Sequence, residues 1–420
     1  MESDAVRAAV HEARDHVLDD TVGRPARTQL TGNTAHAGQS RLARMPRRLL
    51  HVLPLTGGGG AEQQALVTIE QLVADGEDVT LAYFRPGRLH DGFAALGVPM
   101  EQVPPRTVLT LDRPRVLDLR RRFGAEPPDI VHCWLYEANV VGLLAARGWP
   151  GSRVIVTERA GSEYVRSRVK LGLQRALYPR ADMGIANSAD GAAHLVGRGM
   201  AAEKVVELPN VVAPERVAVR RSRADVRADL DTPDDAPVVV MVARADPAKD
   251  HPTLLAAHAA VLAQRPDVRL WLVGAERAEL GAFGVDVPAG VTVAGWEDHP
   301  ADVLAAADVV AVSSWTEGHA GTADEALMLG LPVATTDVGG HVDLVRDAGG
   351  RVVPRRDPQR LVEAILGLLD APPAPESVRA AVAPVLDPAT GVARLGELYG
   401  ALLDDDPTSR LSARRPGNGA

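Results

Sequence analysis

The feature that constrains this chain most is an alternation of short apolar runs and helical segments that stops once and then starts again. RRLLHVLPL (47–55) is followed by the glycine turn TGGGGAE (56–62) and the helical pattern EQQALVTIEQLVADG, with Gly76 as its stop. VTLAYF (79–84), DIVHCW (129–134), RVIVTE (153–158), ADMGIAN (181–187) and KVVELPN (204–210) come next, with helical stretches between them. Residues 213–235 are polar and poor in apolar side chains, which marks an interdomain linker. The alternation resumes with PVVVMVA (237–243), a helix over 251–264, VRLWLVG (268–274), VTVAG (291–295) and a helix over 300–307. DVVAVSS (308–314), a short helix, LPVATTD (331–337) and a helix over 358–370 complete it. Near-continuous apolar strands separated by helices imply parallel sheets covered on both faces. The expected fold is α/β, with two doubly wound domains, 46–212 and 236–386, facing each other across a cleft. A final helical stretch within 387–404 would pack back on the first domain. Residues 1–45 and 405–420 are expected to be a poorly ordered extension and tail.

Bulk properties narrow the class. With 420 residues, 46% apolar and 24% charged, the chain can build sizeable cores, although aromatics are only 3%. A single cysteine, Cys133, excludes an internal disulfide framework and suits a reducing compartment. The polar, acidic opening MESDAVRAAVHEARDH is unlike a secretory signal, and no apolar run approaches a membrane span, so a cytoplasmic protein is expected. Residues 46–212 carry 20 Lys+Arg against 18 Asp+Glu, and residues 236–404 carry 12 against 23, which argues against a nucleic-acid partner for the second half.

The segment TEGHAGTADEALMLGLPVATTDVGG (316–340) places Glu317 and Glu325 with seven residues between them. Gly318 and Gly321 keep Glu317 on a loop, Thr322 reads as a helix N-cap, and Glu325 falls in the first turn. Both carboxylates can then approach a helix N-terminus, whose free N–H groups suit a phosphate while the carboxylates accept from hydroxyls. A nucleotide sugar offers both kinds of group. Arg244 and Lys249 lie just past the strand that opens the second domain, where two cations would neutralise a diphosphate. Lysine is rare here (Lys170, Lys204 and Lys249 among 46 Lys+Arg), so its use at 249 suggests a need for a compact ammonium. Each of these residues also has a plain reading as a loop charge or a helix-favouring acid.

Gly58 and Gly59, in the turn after the first strand, permit close backbone approach to a phosphate or sugar, or act simply as a flexible turn. A nicotinamide site fits poorly, because the G-x-G-x-x-G register is absent and no ribose-binding acid ends the second strand. His132 ends an apolar strand at the cleft side and reads either as a reactive group or as a hydrogen-bonded structural one. Trp296 could wall a nucleotide base. The basic groups Arg113, Arg115, Arg120, Arg121, Arg122 and Arg166, Arg168, Lys170, Arg175, Arg180 could hold an anionic acceptor or lipid headgroups, or be solvated helix faces. The D-x-D at Asp229-Leu230-Asp231 lies in the polar stretch and follows no apolar strand, so no essential metal is expected.

The segment EGHAGTADEALMLGLPVATTDVGG resembles the E-x7-E signature of the retaining glycosyltransferases of family 4, whose GT-B fold is two facing Rossmann-like domains. PLTGGGGAEQQ, VVVMVARADPAKDHPTLLAAH, VTVAGW, DVVAVSSWTEG and LPVATTDVGG resemble further family segments, in order, along nearly all of 47–370. The resemblance implies a transferase that moves a sugar from a nucleoside diphosphate to an acceptor hydroxyl. In it Arg244 and Lys249 contact the diphosphate, Glu325 holds ribose hydroxyls and Glu317 holds sugar hydroxyls. Gly318 and Thr322 line the donor site, His132 lies near the donor sugar, and the acceptor enters from the first domain. Two positions depart from the family pattern: Trp134 replaces the second histidine of an H-x-H, and Asp324 stands where an apolar residue is usual. A nucleotide-sugar epimerase or phosphorylase, or a non-catalytic nucleotide-sugar binder, remains a rival reading. Peripheral contact with the inner membrane face through the first domain is a further expectation.

Overall fold

In the computed structural model, residues 46–404 are described apart from 58, 105–111, 160–166, 289 and 298. The expected N-terminal extension and C-terminal tail, and the Gly58 and Arg166 assignments, lie outside the described residues. The first sheet contains β1 (Arg48–Leu53), β2 (Asp78–Tyr83), β3 (Met100–Gln102), β4 (Ile130–Trp134), β5 (Arg153–Glu158), β6 (Met183–Ala186) and β7 (Val205–Glu207), all parallel, in the order β3-β2-β1-β4-β5-β6-β7. The second contains β8 (Val238–Val242), β9 (Arg269–Val273), β10 (Thr292–Gly295), β11 (Val309–Val312), β12 (Val333–Thr336) and β13 (Arg351–Val353), in the order β10-β9-β8-β11-β12-β13. Both sheets therefore reverse their winding beside their first strand, between β1 and β4 and between β8 and β11. A doubly wound sheet opens a crevice at the carboxyl ends of those two strands, because the flanking helices leave to opposite faces.

The strands are apolar because helices cover both faces. In β8 the side chains of Val238, Val239, Val240 and Met241 are all buried, alternately in the two cores on either side of the second sheet. Burying one such side chain contributes roughly 1.5–3 kcal/mol. The helix Pro388–Leu403 carries Val392, Leu395, Leu398, Tyr399 and Leu402 along one stripe, and all five are buried against the first sheet with Leu49, Leu53 and Ile69. This helix thus packs on the first sheet, although it starts one residue after the helix Pro375–Leu386, whose Val378, Val382 and Leu386 sit in the core of the second.

The stretch expected as a linker, 213–235, is instead folded onto the second sheet. It contains the 3-10 turn Pro214–Arg216 and the helix Arg223–Asp229. The reason is Arg227, fully buried, which donates to the carbonyls of Ala306, Pro233, Asp234 and Ala236 and to Asp308 Oδ2 at 2.7–3.0 Å. Polar composition concealed a single side chain that ties five acceptors together. Arg227→Met should lower the unfolding free energy by about 3–5 kcal/mol, since it leaves four carbonyls without their donor and removes one of the cations on Asp308, which keeps Arg223 and the Val238 amide. Urea denaturation measures this.

Candidate active site

The switch point of the second sheet carries the cations and one of the acids. After β8 the chain turns through Arg244 and the 3-10 segment Pro247–Lys249, and Asp250 adopts a left-handed conformation (φ 50°) before the helix His251–Gln264. After β11 the loop 313–320 runs alongside it. Ser313 Oγ donates to the carbonyls of Lys249 and Asp250, and Trp315 N–H donates to the carbonyl of Ala248. These bonds fix the loops against each other and set Lys249 Nζ on Glu317 Oε1 as an ion pair. Ser314 Oγ donates to the same carboxylate oxygen at 2.8 Å. Arg244 precedes Lys249 in the same loop after β8, its side chain 62% exposed and paired with Asp246 at 2.9 Å. An exposed cation and a lysine held by a carboxylate form a site that a diphosphate can enter by exchanging partners.

The DVGG turn after β12 braces the Glu317 loop. Gly340 N–H donates to the Gly318 carbonyl at 2.9 Å, and Gly339, at φ +83°, lies so close that an added Cβ would come within 3.0 Å of Glu317 Cβ. At Gly340 an added Cβ would lie 2.6 Å from His319 Nδ1, so only glycine lets this turn reach the loop.

The helix that follows runs from Gly321 to Met328, two residues earlier than its expected cap implies. Ala320 stands at its N-cap. Thr322 is inside the helix, and its hydroxyl donates to the Val242 carbonyl at 3.1 Å, so it ties the helix to the end of β8 and does not cap. Glu325 is consequently past the first turn, buried, and bonded to Arg216 Nε at 2.8 Å. Burial raises its pKa, an effect that Arg216 opposes. Arg216 was hidden in the supposed linker. The carboxylate expected to take ribose hydroxyls is therefore already held by a guanidinium.

His319 and Asp324 form a pair that neither periodicity nor spacing revealed. Both are buried, with His319 Nε2 2.9 Å from Asp324 Oδ1 and 2.7 Å from Oδ2, while Nδ1 is 3.1 Å from the backbone carbonyl of Asn187 in the first domain. A carbonyl and a carboxylate can only accept, so the ring bridging them carries both protons. Burial opposes this charge, but Asp324 and the Asn187 carbonyl outweigh it and hold the His319 pKa above 6.5. Beneath it, His341 is neutral because it is buried: its Nδ1 accepts from Ala320 N–H and its Nε2 lies 2.8 Å from Thr335 Oγ1.

His132 does not face the cleft. It is 1% exposed, with Nδ1 2.5 Å from the Tyr399 hydroxyl, Nε2 2.7 Å from Thr157 Oγ1, and its ring stacked on Trp134 at 4.8 Å. Burial depresses its pKa far below 6.5, with His51 and Arg159 adding to the shift. The catalytic expectation for His132 is corrected accordingly: both nitrogens are spent inside the protein, on β5 and the last helix. His132→Ala should destabilise the fold by roughly 2–4 kcal/mol through lost packing and hydrogen bonds. Turnover per folded molecule should change little, which active-site titration combined with thermal melting can separate.

At the first glycine turn, Gly59 is the N-cap of the helix Gly60–Ala74, and the Glu62 carboxylate lies against it, so that a Cβ added at Gly59 would fall 2.6 Å from Glu62 Oε2. A phosphate at this helix end would have to displace it. Trp296 is 56% exposed, with the Arg88 guanidinium of the first domain 4.8 Å from its ring centroid. In the first basic group Arg115 pairs with Asp112 and Glu137, Arg120 donates to the carbonyls of Leu144 and Ala145, and Arg121 and Arg122 bond Asp118. That group is committed mostly to holding its own helix. Lys170, in the second, lies 5.2 Å over the Tyr136 ring. Among the described residues no three His, Cys, Asp or Glu side chains are grouped to hold a metal ion, and Asp229 of the D-x-D is paired with Arg221.

Comparison with known proteins fits this arrangement. Residues 236–371 match the family model "Glycosyl transferases group 1", and residues 58–216 match "Glycosyltransferase Family 4". A GDP-mannose-dependent alpha-mannosyltransferase of Mycobacterium tuberculosis is 33% identical over 62% of this chain and 69% of its own length. A D-inositol 3-phosphate glycosyltransferase of Streptomyces scabiei is 26% identical over 93% of this chain and 98% of its own. HepE of Anabaena, solved with UDP and glucose, superposes with a TM-score of 0.71 at 20% identity, covering 84% of this chain and all of HepE. The chain belongs to the family 4 glycosyltransferases. It is a glycosyltransferase with the two-domain GT-B architecture.

Proposed function

We propose that this enzyme transfers a sugar, with retention of anomeric configuration, from a nucleoside diphosphate to an acceptor hydroxyl. The observation that carries the reading is the meeting of Lys249, Glu317 and Ser314 beside Arg244 at the switch point of the second sheet. Arg244 and Lys249 neutralise the diphosphate, so that charge developing on the leaving group is met by cations already in place and no essential metal is required. Glu317, released from Lys249, accepts from the sugar hydroxyls. Gly318 and the amides at the start of the helix Gly321–Met328 complete that end of the site. Glu325 reaches the ribose hydroxyls in exchange for Arg216. The leaving phosphate, on the same face as the incoming hydroxyl, takes the acceptor proton. Closure of the cleft excludes water as a competing acceptor.

The relatives act on GDP-mannose or an inositol phosphate, and HepE was solved with UDP, so the donor class proposed is a UDP- or GDP-sugar. The acceptor enters from the first domain. That domain also has the surface suited to a cytoplasmic membrane face: on the helix Arg168–Leu177, Val169 is 81% exposed between Arg168 and Lys170. No helix among the described residues is long and apolar enough to cross a membrane.

Thermal melting with a panel of nucleotide sugars tests donor binding, because a ligand of the folded state raises the Tm. NMR of the product with the stabilising donor then reads the anomer. An α-linked product from an α-linked donor supports the reading. Inversion, or epimerised sugar formed without an acceptor, contradicts it.

A further inference from the structure

At the carboxyl end of β5, in the first domain, the half-buried Arg159 lies with its guanidinium 5.0 Å over the buried Trp134 ring. One of its nitrogens, Nη1, donates to Asn210 Oδ1 at 2.7 Å, and Asn187 Nδ2 donates to that same oxygen at 3.3 Å. No carboxylate among the described residues pairs with Arg159, and its buried Nε and the buried Asn187 Oδ1 are both without a hydrogen-bond partner. Burial lowers the Arg159 pKa to about 10, an effect that Tyr399 opposes. The guanidinium thus keeps its charge at neutral pH, without the counter-ion that a buried cation ordinarily requires.

Its position gives the charge a use. Asn187, which shares Asn210 with Arg159, presents its backbone carbonyl to His319 Nδ1 at 3.1 Å. His319 is separated from Glu317 by one residue, and Arg159 lies near enough to oppose the charge on His319 across the domain boundary. This cation, without a carboxylate partner among the described residues, therefore stands beside the loop on which the donor sugar is proposed to rest.

We propose that Arg159 is the anion-reading residue of the acceptor site: the molecule that receives the sugar carries a phosphate or carboxylate, which pairs with this guanidinium while its hydroxyl meets the donor. The assignment rests on the glycosyl-transfer reading above. A planar fork whose Nε–H has no partner within the described residues suits either oxyanion, and Asn187 Oδ1 adds an acceptor for a neighbouring hydroxyl. The other functional cations, Arg244 and Lys249, lie in the second domain and face the diphosphate, so they do not substitute for it.

The test uses the full chain and thermal melting, with and without saturating UDP or GDP to fill the donor site. Inorganic phosphate, glycerol 3-phosphate, glycerate and glycerol are titrated into wild type, Arg159→Met and Arg159→Lys. The expected result is an anion-dependent rise in Tm in wild type that glycerol does not give and that persists with the nucleotide bound. Arg159→Met should weaken the apparent Kd for the anion about tenfold or more. Arg159→Lys should retain part of it, and unchanged nucleotide binding in both variants would show that they fold. Comparing phosphate with glycerate identifies the oxyanion. Equal responses to glycerol and the anions in wild type, or an undiminished anion response in Arg159→Met, would overturn the proposal. If no nucleotide sugar binds while the anion response depends on Arg159, the transfer reading fails and the anion site stands.

Discussion

Lys249→Ala should lower turnover of the nucleotide sugar, followed as released nucleoside diphosphate, by about 10²–10³-fold, the usual loss when a preorganised charge facing a leaving group is removed. The lysine is partly buried, and Ser313 binds the carbonyls of Lys249 and Asp250, so its ammonium is already aimed before a ligand arrives. The deletion also releases Glu317 from its partner, and Ser314 alone does not replace a cation. Lys249→Arg should recover only a small part of the rate. The guanidinium is larger and planar, whereas a compact ammonium now meets Glu317 Oε1. A variant that retained turnover within a factor of a few would place the leaving-group charge elsewhere.

Asp324→Ala should be the most destabilising change at the site, costing about 3–5 kcal/mol, because it leaves a buried, doubly protonated imidazole facing only a carbonyl. The pair also sets a pH dependence. His319 has a folded pKa above 6.5, so its contribution is fully present below that value and is lost as pH rises through the folded pKa. Asp324 is likewise raised, by burial first and against the pull of His319, so it too binds protons more tightly in the folded state. The other groups around His319 are Arg159, which opposes its charge, and the neutral His341, 5.8 Å away. The pair's own contribution should therefore fall from about pH 6.5 upward, whereas buried neutral histidines such as His132 and His341 make stability rise with pH below that value. The double change His319→Phe with Asp324→Leu, which restores apolar packing, should remove that slope. Denaturation midpoints of wild type and the double variant across pH 5.5–8.5 measure it, and a wild-type advantage over the double variant that grew as pH rose through this interval would contradict the assigned charge state.

Much of the architecture was legible because buried parallel strands must be apolar along their length. β8 and β11 stood out for that reason, and the helices His251–Gln264 and Pro358–Asp370 carried clear stop and start signals. The edge strands β3 and β13 did not: each has three residues and is only partly buried, so neither makes an apolar run. Composition misled at 213–235, where one buried arginine outweighs a polar average. At the site, Lys249 and Glu317 could be placed together because each follows a central strand. His319 and Asp324 could not, since residues five apart straddling a helix start share no face in any regular element, and Asn187 meets them only through the tertiary fold. His132 was misread because the end of a central strand usually opens to a cleft, whereas here the last helix brings Tyr399 over it.

The most direct test of the account is calorimetric titration of a nucleoside diphosphate and its sugar conjugate into wild type, Lys249→Ala and Glu317→Ala. Lys249 faces the phosphates and Glu317 the sugar. Lys249→Ala should therefore weaken both ligands alike, and Glu317→Ala should weaken only the sugar conjugate, reducing or erasing its advantage over the free diphosphate. If Glu317→Ala left that advantage intact, the loop after β11 would not be where the sugar binds.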